Sequence, residues 1–341
     1  MAGRTITSVD AFQRRHHWAG FPLAVLYKYA DDQGGYLAAL ITYYGFLSLF
    51  PLLLLLVTVL GFVVQGDPHL QAQLLSSALA QFPLFGSQLR ASVHSAAGSG
   101  LGLAIGIVGT IYGCLGFAQA TQHALNRAWA VPRNARPNPF SSRVRSLLLI
   151  VVLGIGVLLT TAVSALITGA GAYGATVDTG LRVAAIVVTT VANVALFMLA
   201  FRVLTAREIP TRHLRLGALV AGIGWQGVQL LGTYFLGHVL KGSQEAYGVF
   251  GLVLGLIAWI YLLALVTVLA AEVNVVGQRR LWPRALMTPF TDDVQLTSAD
   301  ERTYTAYAES ERHKGFETID VAFHPPDADE PTAPAPPPRD A

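Results

Sequence analysis

The stretch that decides the fold is Gly34–Val64, GGYLAALITYYGFLSLFPLLLLLVTVLGFVV, which contains no charged residue. As an α-helix rising ~1.5 Å per residue, it reaches about 46 Å, whereas the hydrocarbon core of a bilayer is ~30 Å thick. The stretch is therefore predicted to span a membrane. Polar and helix-distorting residues in its middle distinguish it from a plain anchor: Tyr43, Tyr44, Ser48 and Pro51.

Three of these residues share one face of the predicted helix, because Tyr44, Ser48 and Pro51 are spaced by four and three positions. Hydroxyl groups in hydrocarbon need hydrogen-bond partners, so we expect this face to turn toward the protein. Pro51 lacks a backbone N–H and crowds the carbonyl of Leu47, which predicts a kink there. The first span is thus predicted to be a kinked helix that lines a site or packs on other helices.

The composition of the whole chain is that of an integral membrane protein. Of 341 residues, 53% are hydrophobic and 13% charged, against roughly 25% charged in a soluble domain. The predicted fold class is all-α: a polytopic membrane protein with six transmembrane helices and additional amphipathic interfacial helices. The spans are expected at about residues 36–64, 101–120, 146–170, 181–204, 216–240 and 248–276.

The predicted domain organisation has three parts. Residues 1–33 form a cytoplasmic amphipathic segment of one or two interfacial helices, broken at Pro22. Residues 34–290 form the six-helix domain, in which residues 68–97 are two amphipathic helices that either cap the bundle or act as a mobile lid over an outward cavity. Residues 291–341 are an acidic, proline-rich cytoplasmic tail, expected to be disordered from about residue 295.

The charges of the loops predict the orientation. Basic residues cluster after the second, fourth and sixth spans and are sparse in the alternate loops, so the positive-inside rule places both termini in the cytoplasm. Residues 1–290 hold 19 basic and 8 acidic residues, whereas residues 291–341 hold 4 and 12. This split argues against nucleic-acid affinity, and no nucleic-acid partner is expected. The basic residues of the three clusters are Arg127, Arg133, Arg136, Arg143, Arg145, Arg202, Arg207, Arg212, Arg215, Arg279, Arg280 and Arg284.

Four segments in order resemble the YihY/BrkB family of bacterial inner-membrane proteins: LITYYGFLSLFPLLLLL (40–56), ALNRAW (124–129), AYGVFG (246–251) and WIYLLALVTVLAAEVNV (259–275). The resemblance covers roughly residues 20–280. It implies six helices with both ends cytoplasmic and a multi-pass location in the inner membrane. Where relatives usually have Gly-Ala-Glu near the end of the last span, this chain has Ala270-Ala271-Glu272, which keeps the carboxylate.

The resemblance brings two older labels, a tRNA-processing ribonuclease and a factor for virulence or serum resistance. Metal-dependent RNA hydrolysis needs clustered histidine and carboxylate ligands, but the nine histidines are scattered along the chain. Asp31-Asp32 is open to two interpretations, a metal pair or an ordinary helix end, and we favour the second. We expect a protein that is not an enzyme and that needs no metal and no cofactor.

The candidate site centres on Glu272, because a carboxylate within a spanning helix costs about 2.5–3.5 kcal/mol and should face protein or water. Arg202, Arg143 and Arg145 are predicted at a similar depth. Either Glu272 ties helix ends together through an arginine, or it handles a proton or a lipid headgroup. Asn126 is expected to cap its helix or to hydrogen-bond across helices, and Trp129 to anchor the interface.

Two functions remain open from the sequence. The leading one is transport or flipping of a lipid or small amphipathic solute, and it is ATP-independent because no Walker loop is present. The alternative is a non-transporting envelope or scaffold protein, linked to virulence or serum resistance, that recruits partners through its cytoplasmic arginines and acidic tail. The expected partners are membrane lipids and a small amphipathic substrate. Glycines spaced by four permit close helix packing and a homo-oligomer.

Overall fold

The structure is a computed structural model that describes residues 2–63, 100–151, 156, 179–206, 208–238 and 240–324. Within these residues the fold is all-helical, without a strand. The predicted outer helices at 68–97, most of the span at 146–170, and residues 325–341 lie outside the described residues. The helices are α1 (Ala2–Arg15), α2 (His17–Asp31), α3 (Gly34–Val63), α4 (Gly100–Ala128), α5 (Thr179–Leu204), α6 (Arg215–His238), α7 (Leu240–Arg279) and α8 (Ser298–Ser310); residues 139–151 are helical as well.

The long helices coincide with predicted spans. Among the described residues, Ile186–Leu204 of α5 and Val253–Arg279 of α7 are long and apolar enough to cross a membrane, and Gly34–Leu49 of α3 is a shorter apolar stretch. Large apolar side chains lie exposed along α5, for example Val191 at 63% and Val187 at 54%. A soluble monomer rarely exposes so continuous an apolar surface. In a membrane, the hydrocarbon tails of the lipids cover such a surface and keep it out of water. The all-α class is confirmed; six spans and their orientation stay a prediction.

The polar face of α3 packs against glycines of α4. A Cβ atom on Gly116 would overlap the Tyr44 ring, and one on Gly113 would overlap Ser48. These glycines let the two helix backbones approach closely, as small residues do in membrane bundles. Ser48 is buried and its hydroxyl donates to the carbonyl of Gly45 at 2.9 Å. The helix α3 continues through position 51 to Val63, and a bend there stays a prediction.

Helix α6 lies between α5 and α7 and uses different glycines toward each. Gly222 faces Val194 of α5, whereas Gly224 faces Val266 of α7. At the start of α6, the N–H of Gly217 donates to the side-chain oxygen of Asn274 at 2.7 Å. Asn274 therefore satisfies one of the orphan N–H groups at the start of α6 from a neighbouring helix. Close packing through small residues thus extends over the whole α5–α6–α7 layer.

The N-terminal segment forms two helices, and its break lies elsewhere than predicted. Pro22 lies inside α2, and the chain turns instead at His16, between α1 and α2. A proline in the second turn removes one backbone hydrogen bond. Ala24 and Val25, which follow it, are buried in the main apolar core together with residues of α7, and this burial offsets the loss.

The expectation of disorder from residue 295 is wrong for residues 298–310, which form α8. Thr297 begins this helix with a capping box: its hydroxyl accepts from the N–H of Asp300, and the Asp300 carboxylate accepts from the N–H of Thr297. Asp300 and Thr303 are buried. The acidic composition that suggested a solvated tail here supplies the cap and, through Asp300, an ion pair with the body of the protein.

Candidate functional site

Glu272 lies near the C-terminal end of α7 and is completely buried. Neither of its carboxylate oxygens accepts a hydrogen bond within the described part of the chain. Its Oε2 lies 3.5 Å from the Nζ of Lys28. Burying a carboxylate without close hydrogen bonds costs free energy, and this cost makes Glu272 and its surroundings a candidate functional site.

Lys28 on α2 joins three elements. Its buried ammonium bonds to Asp32, one helical turn later, and donates to the carbonyl of Ala128 at 3.1 Å. Ala128 is the last residue of α4, where the helix dipole favours a cation. The same ammonium therefore contacts Asp32, the C-terminal end of α4 and Glu272. We call Lys28, Asp32, Arg127 and Glu272 the charge cluster, and the end of the bundle that holds it the charged end.

Arg127 connects the charge cluster to the surface. Its Nε lies 3.5 Å from Asp32 Oδ1, and its side chain is 30% exposed. On its outer side it lies 3.7 Å from Glu311, which also forms an ion pair with Arg133 at 2.6 Å. Within the cluster, Lys28 and Asp32 neutralise each other and Arg127 is shared with Glu311. Glu272 is thus the carboxylate of the cluster whose one cation among the described residues, Lys28, also bonds to another carboxylate.

Helix α8 covers the charge cluster through Tyr307. The Tyr307 ring lies 5.0 Å from Lys28 Nζ and 5.4 Å from the guanidinium carbon of Arg127, within the range of cation–π attraction. Burial raises the pKa of the Tyr307 phenol, and the nearby carboxylates of Asp32 and Asp31 raise it further. Tyr307 is therefore a neutral phenol over the physiological range, and it can face both cations without a charge of its own.

A second ion-pair group fixes α8 beside the cluster. The buried guanidinium of Arg284 bonds to Asp31 at 2.8 Å and to Asp300 at 2.5 Å. Burial lowers the pKa of Arg284, but the two carboxylates outweigh it and the net pKa is raised, so the side chain stays charged. Burial also raises the pKa of Asp31, although Arg284 opposes this. Asp31 and Asp32 point to different cations, which fits the interpretation of a helix end.

The segment around Arg284 also forms hydrogen bonds with the two N-terminal helices, α1 and α2. Gln13 of α1 donates to the carbonyl of Arg284, and Tyr27 of α2 donates to the carbonyl of Leu286 at 2.7 Å. The N–H of Leu286 donates to Asp10 of α1 at 3.2 Å. Helices α1, α2 and α8 therefore all contact residues 284–286, directly beside the charge cluster.

The structure corrects the expected partners of Glu272. Arg143 and Arg202 are exposed, and Arg145 donates to the carbonyl of Thr205 at 3.1 Å. None of the three forms an ion pair with Glu272 in the described part, where Lys28 takes that place. The reason is that α2 packs against α7 and brings its own cation to the carboxylate.

The predicted residues of α3 also lie apart from the charge cluster. Tyr43 is 60% exposed, and the side chain at Pro51 lies outside the described residues. Tyr44 and Ser48 pack on α4 at and before Gly116, which precedes Ala128 by twelve residues or about 18 Å of helix. The polar face of α3 and Glu272 are therefore not parts of one site.

The ALNRAW segment (124–129) lies at the charged end. Asn126 accepts from the N–H of Ala206, just beyond α5, at 2.9 Å. Trp129, expected at the interface, is instead buried in the core at 2% exposure, and its carbonyl accepts from Arg279 at 2.6 Å. Both residues hold the end of α4 in place beside Lys28.

Sequence reasoning missed Lys28, Asp32, Arg127, Tyr307 and Arg284 as members of a site. Two signals were present: the i, i+4 spacing of Lys28 and Asp32, and the capping pattern Thr297-x-x-Asp300, followed by Tyr304 and Tyr307. Neither signal says which distant cation meets Glu272, because that depends on how α2 packs on α7.

Comparisons with known proteins find relatives that are named as membrane proteins. A family model described as "Virulence factor BrkB" matches residues 25–291. "Inner membrane protein YhjD" of Escherichia coli (strain K12) is 24% identical over 263 residues, covering 72% of this chain and 77% of that protein. "UPF0761 membrane protein" of Pseudoalteromonas atlantica is 24% identical over 243 residues, covering 69% of this chain and 78% of that protein. No solved structure matches the chain significantly.

The helices, their exposed apolar surface and these relatives define an α-helical membrane protein. The chain belongs to the BrkB family, which confirms the resemblance seen in the four sequence segments. The matched residues include Lys28, Asp32, Arg127 and Glu272, whereas α8 with Tyr307 lies beyond them.

Proposed function

We propose that the protein is an ATP-independent transporter or flippase of a lipid or small amphipathic solute in the bacterial inner membrane, and that it is not an enzyme. The proposed topology has six transmembrane helices with both termini in the cytoplasm. The clusters of arginine after the second, fourth and sixth spans support it. The charged end then lies on the cytoplasmic side of the bilayer.

The observation that carries the proposal is the buried carboxylate of Glu272, which shares its one cation among the described residues with Asp32. Lys28 already has a full partner in Asp32, yet a second carboxylate is held at the same ammonium, completely buried and without a hydrogen bond from the described residues. Ionisable groups inside membrane domains mark substrate or proton pathways by default. Because Glu272 accepts no hydrogen bond from the described residues, its carboxylate is a group that can take up a proton or bind a polar headgroup.

The position of Glu272 suggests how proton uptake would act on the helices. Its contact with Lys28 joins α7 to α2, and Lys28 in turn holds the end of α4. Protonation of Glu272 removes its attraction for Lys28 and loosens this junction. A proton gradient can thereby change how firmly α2 and α4 hold α7, which is the kind of switch that a gradient-driven transporter needs.

The scaffold alternative has less support from the described residues. It assigns the acidic tail and the cytoplasmic arginines to outside partners. Asp300 and Glu311 of the tail instead bond to Arg284, Arg127 and Arg133 of the same chain. These charges are engaged within the molecule, so recruitment would have to compete with α8.

The proposal is tested by lipid flipping in liposomes that contain the purified protein and trace phosphatidylglycerol or phosphatidylethanolamine labelled with a quenchable fluorophore. We expect wild type to flip at least one of these lipids faster than empty liposomes. Glu272→Gln should slow flipping at least tenfold with unchanged folded yield. Glu208→Gln is the matched control, because Glu208 is exposed in the segment after α5.

If liposomes with the wild-type protein flip neither lipid faster than empty liposomes do, the flippase form of the proposal is refuted. Native mass spectrometry of wild type and Glu272→Gln released from nanodiscs then tests the solute form. A bound solute present in wild type and lost in the variant would support transport, and its absence from both samples would favour the scaffold alternative.

A further inference from the structure

A pocket of about 300 Å³ lies between the C-terminal end of α5 and the start of α6. Its wall on α5 is apolar except for one arginine, and its wall on the α6 side carries a hydroxyl and a second arginine. The lining residues are Ala195, Met198, Leu199, Arg202, Thr211 and Arg215. The pocket lies on the outside of the bundle and shares no residue with the charge cluster.

The two arginines of this pocket differ from three other arginines at the charged end. Arg127, Arg133 and Arg284 all pair with carboxylates. Arg202 and Arg215 are exposed, and neither forms an ion pair with a residue that the structure describes. Two cations thus converge on one concave surface without an anion. Arg215 is also the first residue of α6, so the positive end of the helix dipole adds to the same field.

The pocket lies where a membrane surface is expected. The apolar stretch Ile186–Leu204 ends two residues after Arg202, and long basic side chains near the end of a span reach the headgroup region. Exposed Leu199 and Leu219 continue the apolar surface along α5 and α6. The pocket therefore fits a ligand with a negative charge that contacts the arginines and acyl chains that lie on the exposed leucines.

We propose that this pocket binds the phosphate headgroup of an anionic phospholipid. Arg202 and Arg215 contact the phosphate, Thr211 donates its hydroxyl, and the acyl chains lie along the exposed leucines of α5 and α6. Basic pockets between transmembrane helices are known to hold anionic headgroups. This lipid is a resident ligand on the outside of the bundle, so the inference goes beyond the proposed function and holds whether or not the protein transports anything.

The experiment measures binding of phosphatidylglycerol to the full-length protein by native mass spectrometry of detergent-solubilised samples titrated with lipid. Each basic residue near an anionic surface is worth about fivefold in affinity, so Arg202→Ala with Arg215→Ala should weaken binding roughly 25-fold. Arg15→Ala with Arg143→Ala is the matched control, because it removes two exposed arginines elsewhere and should leave binding unchanged. Replacing Arg202 and Arg215 by lysine should retain most of the affinity and shows that the loss comes from charge.

Four results decide the inference. The inference is supported if wild type binds phosphatidylglycerol more tightly than phosphatidylcholine with the same acyl chains, and if only the variant with Arg202→Ala and Arg215→Ala loses this preference. Equal affinity of that variant and wild type would overturn it, as would equal binding of the two lipids. Full competition by inorganic phosphate at the concentration of the lipid would assign the pocket to a soluble anion and overturn the lipid assignment.

Discussion

Replacing Lys28 by methionine is expected to destabilise the protein far more than replacing Glu272 by glutamine. Methionine fills the volume of the lysine stem but removes the ammonium from Asp32, from the carbonyl of Ala128 and from Glu272. Breaking a buried ion pair by removing one partner costs about 3–5 kcal/mol, because the other charge stays buried and uncompensated. Here two carboxylates stay behind, with Arg127 beside only one of them.

Glu272→Gln keeps the shape of the side chain and removes its charge. The carboxylate lies 3.5 Å from Lys28 and accepts no hydrogen bond from the described residues, so the cost should be about 1 kcal/mol or less. In the double variant, the neutral glutamine that replaces Glu272 leaves no uncompensated charge there when the ammonium is lost. The destabilisation of the double variant should therefore be about 1–3 kcal/mol smaller than the sum of the two single changes.

The assay is unfolding in mixed micelles with increasing sodium dodecyl sulfate, followed by tryptophan fluorescence. Arg14→Met is the matched control, because Arg14 pairs with Asp10 over the same spacing of four residues but is 40% exposed; it should cost about 1 kcal/mol or less. If Lys28→Met costs no more than Arg14→Met, or if the double variant is strictly additive, then Lys28 and Glu272 do not interact and the charge cluster as described is refuted.

Three further predictions concern packing, backbone and tail. Gly116→Ala should destabilise by about 1–3 kcal/mol, because the new methyl group meets the tyrosine ring of α3; Gly227→Ala, with nothing within 4 Å of its Cβ position, should stabilise by about 0.5–1 kcal/mol. Ala130→Gly should raise the unfolding free energy by about 1 kcal/mol, because Ala130 has φ 44° beyond the end of α4. Asp300→Ala should release α8 by removing both its cap and the partner of Arg284, which is measured as faster tryptic cleavage within α8.

Each of these predictions has an outcome that contradicts it. Equal stability changes at the two glycines would mean that α3 and α4 do not approach as described. An unstable Ala130→Gly variant would show that the loss of the buried methyl group outweighs the relief of the backbone. Unchanged proteolysis of Asp300→Ala would show that the contacts of Tyr307 alone hold α8.

The predictable parts of the fold are those set by local chemistry. An uncharged run such as Gly34–Val64 has few ways to satisfy its backbone other than a helix, and the ends of α5 and α6 fall within two residues of the predicted spans. Glycines at intervals of four predicted close packing, and Gly113 does lie against Ser48. The helix at 298–310 was not predicted, because the acidic, proline-rich composition of residues 291–341 favoured disorder. The capping pair Thr297 and Asp300 is nevertheless present in the sequence.

The site was less predictable because its members are far apart in sequence. Glu272 stands out as a lone carboxylate in an apolar run, which local chemistry explains. Its partner comes from α2, more than 240 residues earlier, and the cover over both comes from α8. The positive loops suggested an arginine at the same depth, but depth gives no information on which face of α7 meets which helix.

The meeting of α1 and α8 at residues 284–286 has a consequence for biosynthesis. Gln13 and Asp10 leave the ribosome long before the segment around Arg284, and Asp300 emerges later still. At about 5–20 residues per second, the interval between α1 and α8 is roughly 15–60 s. Until residues 284–286 are translated, α1 lacks its long-range hydrogen bonds to them, and the charged end with its cover is complete only on a chain translated at least as far as α8.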